Sequence, residues 1–119
     1  MTNNPEVAGL EGAEYADISL LEILEQVRDL VHHHYVLITH PMAGSVKPNE
    51  TPYKSVALSA KPAAALDMQS LQIIEAALQL SQQLLRDRPL PVWNAKVLSD
   101  FALIDRSLLD SGLDGLRHY

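Results

Sequence analysis

A chain of 119 residues, 47% hydrophobic and 20% charged, is long enough to bury one core and is neither disordered nor fibrous. Nine basic against fifteen acidic side chains leave a net charge of −6, which argues against a nucleic-acid partner, because phosphate neutralisation needs a basic surface. Having no cysteine, the chain cannot form disulfides, thiolate metal sites or a thiol nucleophile.

The N-terminal Met1-Thr2-Asn3-Asn4-Pro5-Glu6 has neither a basic nor an apolar leader region, and apolar runs are only a few residues long. Together these predict a cytoplasmic protein with no membrane partner. Residues 1–14 lack a sustained period, and 15–18 read as a short strand. Ser19 and Glu22 have capping-box spacing, with Ile18 and Ile23 as a hydrophobic staple. Leu20, Ile23, Leu24, Val27, Leu30 and Val31 then follow helical spacing, and His32, His33 and His34 fall in the last turn. Three consecutive helical residues point about 100° apart, so the histidines do not converge on one ion, and no metal site is expected. Residues 35–39, YVLIT, are β-branched, aromatic and apolar without alternation, which predicts a central strand, and 55–59, SVALS, a second one.

Asp67 caps a predicted helix running to about Arg88, with Leu71, Ile74, Leu78, Ser81 and Leu85 as its stripe and Ile73, Ala77, Leu80 and Leu84 widening it. Such a width suits a sheet or a homo-oligomer interface. Pro89 and Pro91 end this helix. Asn94 caps a last one, stapled by Trp93 and Leu98, with Val97, Phe101, Ile104 and Leu108 inward and Gly112 closing it. Asp100 and Asp105 read as solvated. The alternation predicts one α/β domain over residues 1–119, a small layer of mostly parallel strands covered by about three helices.

Residues 40–54, HPMAGSVKPNETPYK, are fifteen in a row with three prolines and a glycine, a length without regular structure that is often functional. Prolines 41, 48 and 52 lower the entropy lost on ordering, and Gly44 permits close approach of a ligand to the backbone. His40, Ser45, Lys47, Asn49, Glu50, Thr51, Tyr53 and Lys54 supply donors and acceptors. With two lysines against one glutamate, this loop is net positive on an acidic body, which suits a small anionic ligand such as a carboxylate or phosphate. Lys47 and Lys54 would neutralise the anion, Ser45, Asn49 and Thr51 orient it, and His40 and Tyr53 shape or protonate the site. Two alternatives stand beside this one. In the first, a small enzyme uses His40 as general base and Lys47 as anion stabiliser; in the second, the stiff loop docks a partner. Neither GxxxxGK[ST] nor GxGxxG is present, and no triad spacing links His40, Ser45 and Lys47.

Asn3-Asn4-Pro5, LEQVRDLVHHHYVLITHPMAGSVKPNETPYKSVALS (24–59), SLQIIEAAL (70–78) and DFALIDRSLL (100–109) together resemble the GrdX family. THPMAGSVKPNETPYKS (39–55) is the most specific stretch. Members are small proteins encoded with the glycine, sarcosine and betaine reductase systems of anaerobic amino-acid-fermenting bacteria. The resemblance implies that setting, with a reductase subunit as the candidate partner, and no defined activity. Members begin with an apolar strand leading into Asn-Asn-Pro, whereas only Met1-Thr2 precede it here. The reductases work through selenol and thiol chemistry. A chain without cysteine is therefore expected to be a non-redox accessory with no cofactor of its own.

Overall fold

A computed structural model of the chain describes residues 1–42, 48 and 50–116, with backbone only at 115 and 116. Three helices form where the caps and periodicity predict: α1 (Leu20–His32), α2 (Met68–Asp87) and α3 (Ala95–Leu116). Both capping-box bonds are made, Glu22 N–H donating to Ser19 Oγ and Ser19 N–H to Glu22 Oε1, each at 3.2 Å. Asp67 accepts from Ser70 N–H at 3.0 Å, and Asn94 from Val97 N–H at 2.9 Å, so all three N-termini are satisfied by side chains. α1 ends in a Schellman turn, in which His34 N–H donates to the Val31 carbonyl and Tyr35 N–H to that of Leu30. His34 holds the left-handed residue of that turn, at φ 75°.

α1 and α2 pack face to face. Leu20, Ile23, Leu24, Val27 and Val31 of α1 meet Ile74 and Leu78 of α2 and Val56, with Ile18, Leu37 and Leu58 on the flank. Among the described residues, the backbone of α3 comes close to neither of the other helices. It lies on the extended segments through Ala102, Asp105 and Leu109. Gly112 does not close this helix, which runs on to Leu116. A Cβ there would come 3.1 Å from Thr39 Cγ2, so the glycine admits close approach instead. Ile104, expected inward, is 44% exposed, and Trp93 meets Phe101 with ring centroids 4.8 Å apart.

The parallel-stranded α/β layer is not found. Among the described residues no sheet forms, and extended segments touch through isolated bridges only: Thr2 with Tyr15 (parallel), Thr2 with Ser55 and Leu37 with Leu58 (both antiparallel). The cause lies in where the amides go. Val36 N–H donates to Ser59 Oγ, Leu37 N–H to Ser70 Oγ, Ala57 N–H to Thr39 Oγ1, Lys54 N–H to Asn3 Oδ1 and Ser55 N–H to Asp105 Oδ1. Some carbonyl rungs form, Ile38 N–H to Ala57, Ser59 N–H to Val36 and Val56 N–H to Met1, but side-chain oxygens take the amides between them, and no ladder propagates.

Candidate functional site

The Asn-Asn-Pro element is a buried polar junction. Asn3 is 5% exposed and Asn4 fully buried. Asn3 Nδ2 donates to the carbonyls of Ile18 and Pro52, both at 2.9 Å, while its Oδ1 takes Lys54 N–H at 2.8 Å. Asn4 Nδ2 donates to the Ala102 carbonyl at 2.8 Å and to Asp105 Oδ2 at 2.9 Å. Ser55 gives Asp105 two more bonds, Oγ–H at 2.6 Å and N–H at 3.2 Å. Asp105 is 7% exposed, so its expected solvated place is corrected: it is the acceptor that ties α3 to the N-terminus and to the far end of the loop. Its signal in the sequence is the spacing Ala102, Asp105, Leu109, Gly112, a second stripe turned from the one through Phe101 and Leu108.

Lys54 leaves this junction as the one buried cation among the described residues, 7% exposed. Its Nζ has no hydrogen-bond or ion-pair partner among them. Burial pushes its pKa below the usual lysine value, with the Asp105 charge opposing from beyond contact distance. Beside it opens a crevice of roughly 20 Å³, lined by Thr39, His40, Pro41, Lys54, Ser55, Asp105, Leu108 and Leu109. That volume admits about one water-sized group.

The two ends of the 40–54 loop therefore meet at one place, His40 on one lip and Lys54 on the other. His40 is exposed, and its Nδ1 accepts Met42 N–H at 3.0 Å. In the neutral ring the proton then sits on Nε2, so the free nitrogen is a donor. Pro41 and Pro48 are fully buried, and Met42 Sδ receives Ser81 Oγ–H of α2 at 3.9 Å. Thr51 is buried, with Oγ1 accepting Tyr53 N–H at 3.3 Å. Tyr53 lies near Tyr15 and Asp17, away from the crevice, and burial, ahead of those two charges, raises its pKa. Glu50 is exposed. Gly44, Ser45, Lys47 and Asn49 lie outside the described residues. His32, His33 and His34 part ways: His32 Nε2 stands 3.9 Å from Glu75, His33 Nδ1 donates to the Asp29 carbonyl at 2.7 Å, and His34 turns the chain.

A larger cavity of roughly 310 Å³ lies at another place, walled by Val7, Leu10, Leu30, Tyr35, Leu58 and Leu113 among others. None of the expected site residues among the described ones lines it. No described helix is long and apolar enough to cross a membrane. A family model described as GrdX-like protein matches residues 1–114. No curated protein and no solved structure shows a significant match.

Proposed function

The chain belongs to the GrdX-like protein family, and from that premise we propose that it is a non-redox accessory of glycine, sarcosine or betaine reductase systems that binds a small anion where the ends of the 40–54 loop meet. The observation that carries this reading is Lys54, a cation held out of water beside a crevice with no counter-charge in contact among the described residues. Holding such a group uncompensated is costly, and an anionic ligand removes the cost. Asp105 offsets this only in part, from beyond contact distance, with its oxygens bonded to Asn4 and Ser55. His40 adds an Nε2–H donor on the opposite lip, and the small volume restricts entry to the terminal oxygen of a carboxylate or phosphate.

The test is thermal unfolding with acetate, glycine, betaine, phosphate or acetyl phosphate in turn. A ligand at 100 times its Kd stabilises by about 2.7 kcal/mol, a shift of several degrees, and Lys54→Gln is expected to abolish it. If none of these compounds raises the Tm of the wild-type protein, the ligand reading is overturned.

A further inference from the structure

Lysines elsewhere in the described chain are ordinary: Lys61 is exposed, and Lys96, 85% exposed in its side chain, pairs with Asp100 at 3.5 Å. Lys54 differs in placement. The residue is almost wholly buried, no acceptor among the described residues holds its amine, and the crevice it lines lies beside His40. A buried amine with no partner among the described residues and with access to a small opening has the setting of a covalent nucleophile as much as that of a point charge.

We infer that Lys54 captures the carbonyl group of a small aldehyde acid as an imine, its Nζ attacking the carbonyl carbon that enters the crevice between residues 39–41 and 54–55. This rests on the anion-binding reading, since the carboxylate of such a ligand is what the positive loop would attract. The amine lone pair forms the C–N bond while the carbonyl π pair moves onto oxygen. A proton passes from nitrogen to that oxygen, giving a carbinolamine. Loss of the hydroxyl with the second nitrogen proton as water leaves the C=N bond. Amine and carbonyl thus become imine and water, with no change in oxidation state. Desolvation favours the neutral amine that the first step needs. A volume of roughly 20 Å³ admits a terminal carbonyl group and leaves any longer substituent outside.

Incubation of the full chain with glyoxylate and cyanoborohydride reduces any imine to a stable amine, which peptide mapping locates. The expected result is labelling of Lys54 at least about fivefold faster than Lys61 or Lys96. Labelling spread evenly over the lysines, or absent from Lys54, overturns the inference. Lys54→Arg keeps the charge and is expected to lose this adduct while retaining stabilisation by acetate. Should that variant fail to fold, the adduct's position in the wild-type chain decides alone. Stabilisation by acetate without trapping at Lys54 sinks the imine and leaves the anion site. Trapping at Lys54 without stabilisation by any non-carbonyl anion does the reverse.

Discussion

Asp105 receives three hydrogen bonds in a pocket almost closed to solvent, two from Ser55 and one from Asn4. Replacement by alanine leaves those donors unsatisfied, and each buried orphan costs about 1–3 kcal/mol. Asp105→Ala is therefore expected to lose about 3 kcal/mol in urea unfolding, whereas a solvated aspartate would lose under about 0.5 kcal/mol. Lys54 gives a separate signal. Its folded pKa lies below the usual 10.5, so between the folded value and 10.5 the unfolded chain binds a proton that the native one has released. Stability from this group therefore rises with pH across that alkaline window, and below it the cost of the buried charge is fully present. Tyr53 works oppositely above pH 10, where the native chain keeps a proton that the unfolded chain loses, so measurements belong below that pH. Lys54→Met, which cannot titrate, is expected to exceed the wild type in Tm at neutral pH by a margin that shrinks as the pH approaches 10. A margin independent of pH would contradict the buried charge.

At the scale of elements, the helices were readable because their signals are local: Ser19 with Glu22, Asp67 and Asn94 are caps that act within three residues. The extended segments do not pair as their composition predicts, because their pairing depends on distant side chains. Nothing within 55–59 says that Ser55 N–H goes to residue 105, or within 35–39 that Leu37 N–H goes to Ser70. The density of serine and threonine at 39, 55, 59 and 70 was the available hint, since these hydroxyls compete for backbone amides. For the candidate site, the loop and its ends stand out in the sequence and Asp105 only as a member of the stripe through Ala102, Leu109 and Gly112, because its bonds to Asn4 and Ser55 arise through the tertiary fold. Gly112 shows the same dependence. Glycine inside a helix costs about 1 kcal/mol against alanine, yet here an added Cβ meets Thr39 Cγ2 at 3.1 Å, and Thr39 is held by its bond to Ala57 N–H. Gly112→Ala is expected to bring no gain in the wild type. With Thr39→Ser, which keeps the hydroxyl and drops the methyl, the same change should recover up to about 1 kcal/mol. A gain of that size without the serine would remove the steric account.

Across the whole molecule, apolar and polar attachment are divided. α1 and α2 share the hydrophobic cluster, while α3 contributes Ala102 and Leu109 to the buried set and otherwise holds on through Asn4, Ser55 and the Arg106 bond to the Glu6 carbonyl. An element fixed by few apolar contacts opens at lower free energy than the core. Amide exchange should therefore run faster in α3 than in α1 and α2, and Asn4→Ala should speed it further in α3 alone. Uniform acceleration across all three helices would mean that the junction belongs to the core unit. The junction also joins residues near 4, 54 and 105, almost the full span of the chain. A nascent polypeptide leaving the ribosome has Asn4 and Ser55 ready long before their acceptor has been translated. The junction thus closes only once residue 105 has emerged, and a message that stops short of codon 105 yields a product with open donors, a substrate for proteases rather than a smaller working version of itself.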